Sequence, residues 1–432
     1  MMEENTIYIV GVIIILLVGL FIVLISKRLN ISSILILLLA GIGLGRLEYN
    51  GEKMFILSPA FLSVLAIVAL ILVVFDATSR FRWKTIDVYT VKTFKLMFIF
   101  LILCMIGLTV AVSLIFNVQN ILLALAFSSL MAGTSPDLVL SLLKEGKKKT
   151  RGVKHKIVDM LRIESILSTP LTIIIPLILI ELAGKIDINK IISSSPSVAS
   201  LSIANTHNAY NNAFVVLLSS IKPVALELLV GISAGIFAGL ILAYIFKHAL
   251  PERLSPLILM AGALGTYLLA EVIGGNGLLG VIAMGLLFGN HYIRQKEYKY
   301  SFSSALENSL LILVFILIGF AIDVPLGNLS LWIDAFILFI IYLIIRFITV
   351  SISLNDEELT IKEKVFMTLN VPKGIGVAIV VFALATKASS ATNAIQGLDL
   401  ILDLIIIFMI FSIVLASLVC KLSSVEPKHA GL

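Results

Sequence analysis

Thr134-Ser135-Pro136-Asp137 interrupts an apolar run over residues 121–143, and Pro372-Lys373-Gly374-Ile375-Gly376 interrupts a second over 365–386. Each stretch sets helix-breaking residues and a charge where lipid otherwise demands an unbroken helix. Backbone groups freed at membrane depth are tolerated only where they face protein, water or an ion. The two interruptions therefore mark an interior, and the rest of the chain is read outward from them.

The surrounding sequence is that of a membrane protein. Of 432 residues, 59% are hydrophobic and 13% charged, with a mean hydropathy of +1.12. Soluble domains carry about 25% charged residues. The expected class is an all-α polytopic membrane protein with no large soluble domain, since the longest polar stretches, 144–159 and 183–212, are too short to fold alone. The first apolar run, Ile7 to Ser26, is long enough to span a bilayer. Its acidic start, Glu3 and Glu4, is unlike a signal peptide, so it reads as a membrane helix.

Apolar runs give about thirteen spans. They cover 7–26, 31–47, 56–76, 92–116, 121–143, 160–183, 225–248, 256–273, 277–290, 305–322, 331–352, 365–386 and 398–421. The broken spans are the fifth and twelfth. Their odd offset makes them cross in opposite senses, the relation of inverted repeats, and such paired breaks point to a transport site. One transmembrane domain over 1–432 is expected. Spans 1–6 (about 7–183) and 8–13 (about 256–421) form the two halves, joined by linker span 7 (about 225–248).

Basic loop residues set the orientation. Lys27, Arg28, Arg80, Arg82, Lys84, the run Lys144 to Lys156, Arg294, Lys296 and Lys299 fall on one face; the opposite loops hold fewer, among them Arg46, Lys53, Lys185, Lys190 and Lys387. The N-terminus is expected outside and the C-terminus in the cytoplasm. The net charge of +6 follows from these loops and implies no nucleic-acid partner. Cys104 and Cys420 form no disulfide framework, the five histidines form no ligand cluster, and no cofactor is expected. No nucleophile–base pairing suggests an enzyme.

Charges at bilayer depth are costly unless paired or hydrated. Asp137, Glu164, Glu271, Arg346 and Lys373 form the embedded set. Asp137 beside unwound helix ends offers oxygen ligands to a hard cation, and a carboxylate there holds either a proton or a cation. Asp137 equally suits the cap of a second half-helix. Arg346, alone in an apolar run, needs a carboxylate, and Glu164 is the candidate; otherwise Arg346 snorkels to the interface. Lys373 is either a charge facing the Asp137 break or a loop lysine near the cytoplasmic surface. Thr134, Ser135, Ser168 and Thr169 supply hydroxyls beside Asp137, though each hydroxyl can instead bond back to its own helix.

The chain resembles the sodium/proton exchangers of the cation:proton antiporter superfamily in their prokaryotic NhaP-type form. The likeness lies in Ala270-Glu271-Val272-Ile273-Gly274-Gly275-Asn276-Gly277-Leu278-Leu279-Gly280, in Gly285-Leu286-Leu287-Phe288-Gly289-Asn290, in Ile318-Gly319-Phe320-Ala321-Ile322-Asp323, in Arg346-Phe347-Ile348-Thr349-Val350, in Pro372-Lys373-Gly374 and in Glu164-Ser165. The resemblance implies a homodimer, a moving core of broken helices, a structural Glu164–Arg346 ion pair and a contribution of Thr134 to the site. The sequence departs from the family at two places. Thr-Asp-Pro is replaced by Thr134-Ser135-Pro136, and the Asn-Asp after Glu-Ser by Ser168-Thr169.

The expected function is secondary antiport of a monovalent cation, most readily sodium, against protons, with Asp137 as the exchanging carboxylate and metal ligand. Because the two acidic positions are hydroxyls, potassium/proton or another ion exchange on the same fold, or a transport-inactive sensor or channel, are the alternatives.

Overall fold

The computed structural model describes residues 2–29, 33–49, 52–53, 58–79, 88–134, 155–185, 203–248, 255–291, 312–320, 325, 327–355, 359–390 and 397–423. Helices dominate: α1 Met2–Leu29, α2 Ser33–Gly45, α3 Pro59–Ser79, α4 Val88–Phe116, α5 Ile121–Met131, α6 His155–Lys185, α7 Ile203–His248, α8 Ser255–Val272 and α9 Gly277–His291. A helical stretch at 312–320 is α10. It is followed by α11 Leu329–Ser353, α12 Ile361–Leu369, α13 Ile375–Ser390 and α14 Leu398–Ser423. One two-residue hairpin, β1 Glu48–Tyr49 against β2 Glu52–Lys53, pairs antiparallel between α2 and α3.

Composition explains the helices, since a backbone in lipid must satisfy its own hydrogen bonds. Among the described residues, five segments are long and apolar enough to cross a membrane: Val91–Phe116, Ile163–Gly184, Ala225–Phe246, Leu329–Ser353 and Leu398–Val419. Polar side chains fix where helices begin. Asn120 caps α5 by accepting from the Leu122 amide at 3.1 Å. A reciprocal capping box opens α12, where Glu363 N donates to Thr360 Oγ1 at 3.3 Å and Thr360 N to Glu363 Oε2 at 2.8 Å.

Several boundaries differ from the hydropathy reading. The seventh helix starts at Ile203, inside a polar stretch that hydropathy does not register as a span. The twelfth expected span is two helices, α12 and α13, with residues 370–374 non-helical between them. The first half of the fifth span is helical to Met131, just before the Thr134-Ser135-Pro136-Asp137 stretch, and residues 135–143 lie outside the described residues. Spans 8 and 9 are separate helices, turned sharply at Gly274 with its φ of +78°. The Gly275 amide closes that turn on the Ala270 carbonyl at 2.8 Å, and the Asn276 amide reaches the Glu227 carbonyl of α7 at 2.9 Å.

Glycines let α9 lie between α7 and α3 at backbone contact. A Cβ at Gly235 would fall on the Gly280 backbone, and one at Gly289 on the Ser79 backbone. With no hydrophobic drive between helices in lipid, close approach of this kind supplies association through dispersion. Around the two breaks, α5 packs against α4 and α6, α4 against α11, and α13 against α3, α6 and α14.

Candidate functional site

The segment between α12 and α13 turns a lysine inward. Pro372 and Gly374 prevent a continuous helix, and the freed backbone finds other partners. Lys373 N donates to Ser412 Oγ of α14 at 3.2 Å, and Gly374 O accepts from Ala378 N at 3.1 Å to start α13. The Lys373 side chain is fully buried, which removes the surface-loop alternative. Its Nζ donates to the carbonyls of Met131 and, at 2.9 Å, Gly133, and to the Tyr342 hydroxyl at 2.8 Å. The end of α5 and the break before α13 therefore meet, although about 240 residues separate them in sequence.

The end of α5 explains why those carbonyls are free. The last carbonyls of a helix have no partner within it and carry the negative end of its dipole. Gly133 lets this end approach α6, since a Cβ there would sit 2.8 Å from Thr172 Oγ1. Thr134 follows, buried, and its hydroxyl has no hydrogen-bond partner among the described residues. Ser168 Oγ of α6 lies 3.4 Å from two acceptors, the Thr134 carbonyl and, back along its own helix, the Ser165 carbonyl. Thr169 bonds back to the Ser165 carbonyl at 2.6 Å, and Thr172 to the Ser168 carbonyl at 2.9 Å. Ser135 and Asp137 lie outside the described residues.

Glu164 and Arg346 tie α6 to α11. Arg346 Nη2 donates to Glu164 Oε2 at 2.7 Å, and Nη1 lies 2.7 Å from Oε1, so the ion pair makes one hydrogen bond and a second close charge contact, almost wholly buried. The guanidinium also lies over the Phe100 ring at 4.5 Å. One turn earlier on α11, Tyr342 places its ring 4.5 Å from Lys373 Nζ. Phe100 and Phe408 wall this side, with ring centroids 5.8 and 6.1 Å from Tyr342.

Glu271, expected among the embedded charges, is exposed at the end of α8. Its Oε1 accepts from the Gly277 amide at 3.0 Å, which caps α9. The chain turns at Gly274, so Glu271 closes α8 rather than lying inside a continuous helix. No group of three His, Cys, Asp or Glu side chains suited to a metal occurs among the described residues. The site members missed from sequence are the Met131 and Gly133 carbonyls, Tyr342 and Ser412. Tyr342 carried a signal, four residues before Arg346 on one helix face; backbone carbonyls carry none.

Residues 12–422 match the family model described as sodium/hydrogen exchanger, transmembrane. The chain belongs to the sodium/hydrogen exchanger family. Among its relatives in that family is the Na(+)/H(+) antiporter ApNhaP of Aphanothece halophytica, 23% identical over 254 residues, 59% of this chain and 42% of that protein. Another is the low-affinity Na(+)/H(+) antiporter NhaS1 of Synechocystis, 22% identical over 257 residues and again 42% of that protein. The matched region thus spans under half the length of these curated relatives. In fold, this exchanger-family chain resembles the sodium proton antiporter MjNhaP1 of Methanocaldococcus jannaschii at pH 8, with a TM-score of 0.67 and 20% identity, covering 98% of this chain and 97% of that one. An electron-microscopy structure of the same antiporter gives 0.64 at 18% identity.

Proposed function

We propose that this chain is a secondary active antiporter exchanging a monovalent cation, most readily sodium, for protons, and not an enzyme. The observation that carries the reading is the meeting of the end of α5 and the break before α13 around Lys373, with the Met131 and Gly133 carbonyls, the unpartnered Thr134 hydroxyl and Ser168 at one point. Oxygen dipoles gathered inside an apolar bundle are what a dehydrated hard cation requires. Family membership and the names of the relatives favour sodium and protons as cargo.

In this reading Asp137 is the exchanging carboxylate and cation ligand, with Thr134, Ser135, Ser168 and Thr169 around it. Glu164 and Arg346 form a structural pair that holds α6 on α11. The architecture is a single transmembrane domain of about thirteen spans, with spans 1–6 and 8–13 as inverted repeats joined by span 7. The N-terminus lies outside and the C-terminus in the cytoplasm of a cell-membrane homodimer.

Purified protein in proteoliposomes with a pH dye inside tests the reading. Sodium added outside should move protons in the wild type. Asp137→Asn should abolish that flux while leaving the protein monodisperse and its melting temperature unchanged. Flux retained in Asp137→Asn assigns the proton to another group; flux independent of sodium, lithium and potassium in the wild type overturns the antiport reading.

A further inference from the structure

Lys373 is coordinated as a transported cation would be. Its ammonium has three protons and meets three acceptors, the Met131 carbonyl, the Gly133 carbonyl at 2.9 Å and the Tyr342 hydroxyl at 2.8 Å. Two of these acceptors are carbonyls at the negative end of α5, the kind of oxygen a hard cation takes. Beside them the Thr134 hydroxyl is buried and has no partner among the described residues, and the Ser168 hydroxyl touches the Thr134 carbonyl at 3.4 Å. Buried polar atoms nearly always have a partner, so the open Thr134 hydroxyl is available to a ligand at a point the lysine does not reach.

Among the described residues, the charged and titratable groups facing Lys373 are Arg346 and Tyr342 from α11, Glu164 from α6 and Cys104 from α4. Glu164 is engaged by both Arg346 nitrogens, so it is not a free counter-charge for the ammonium. Two cations on the same carbonyls would repel each other strongly in a water-poor pocket.

We propose that the Lys373 ammonium is a tethered competitor of the transported cation, seated on the α5 carbonyls when no cation is bound and displaced from them when one enters. The inference rests on the antiport reading and adds to it a residue that sets apparent affinity. A site available only in a minor fraction of molecules binds with an affinity reduced by that fraction. If the ammonium is seated in about nine molecules of ten, removing it tightens apparent cation binding roughly tenfold.

Sodium dependence of proton flux in proteoliposomes, with choline as the inert replacement, measures this in Lys373→Met and Lys373→Arg. In Lys373→Met the KM for sodium should fall roughly tenfold. The melting temperature of Lys373→Met should drop in choline and recover in sodium, because the ion then caps the bared carbonyls. Lys373→Arg keeps the charge and adds donors, and its KM should rise severalfold. A sodium KM at or above wild type in folded Lys373→Met overturns the inference. Should Lys373→Met fail to assemble in either salt, a wild-type KM in Lys373→Arg overturns it instead. A wild type with no cation-dependent flux sinks the antiport reading and the inference together; an active wild type with unmoved variants sinks the inference alone.

Discussion

At the scale of single residues, buried charge dominates. A lone guanidinium in an apolar span demands a carboxylate, and Glu164 meets that demand at 2.7 Å. Arg346→Ala leaves Glu164 buried without its partner, so the melt of the purified protein should show a loss of about 3–5 kcal/mol. Replacing both members with apolar residues of similar volume should recover most of that loss. Thr134→Val should behave in the opposite way. Its hydroxyl has no partner to lose among the described residues, so stability should stay within about 1 kcal/mol, while the sodium KM should rise if Thr134 holds the cation as proposed. An unchanged KM would remove Thr134 from the site. The partner of Arg346 was legible because charge complementarity is a property of residue types. The partners of Lys373 were not, since Met131 and Gly133 offer only backbone oxygens, which every residue has.

At the scale of helices, hydropathy found where spans lie but not where they stop. Leu130, Met131 and Ala132 are good helix formers, yet α5 ends at Met131. Lysine capture of the carbonyls from another part of the chain satisfies that end, a tertiary contact with no local signature. The break before α13 was legible, because Pro372 and Gly374 are local breakers. The first turns of α7 were not, because Asn205, Thr206, His207 and Asn208 lower the hydropathy without forbidding a helix. Glycine positions make a sharper test. Gly235→Ala puts a methyl against the backbone of Gly280, which has no side chain to rotate away, and should destabilise by about 1–3 kcal/mol. Gly43→Ala and Gly265→Ala meet nothing within 4 Å and should leave the melt unchanged or slightly raised. Equal effects at all three positions would show that α7 and α9 do not touch as described.

At the scale of the whole molecule, composition alone excluded a soluble fold, and the order of the motifs identified the family before any contact was known. The loop lysines and arginines predict that a fluorescent protein fused after Leu432 lights up in the cytoplasm, while a tag before Met1 is reachable from outside intact cells. A tag protected from outside reagents reverses the assignment. The mechanical side of the molecule could be read from residue types only in part. The Glu164–Arg346 pair fastens α6 to α11, as charge complementarity foretells, but the lysine ahead of α13 also clasps both α11 and the tip of α5. With the lysine seated, those four pieces are lashed into a block. If cargo is carried by tilting, the block tilts entire, and bending falls to the linkages around it. A chemical staple between α6 and α11 should then leave turnover intact, whereas one from α6 to α9 should stall it.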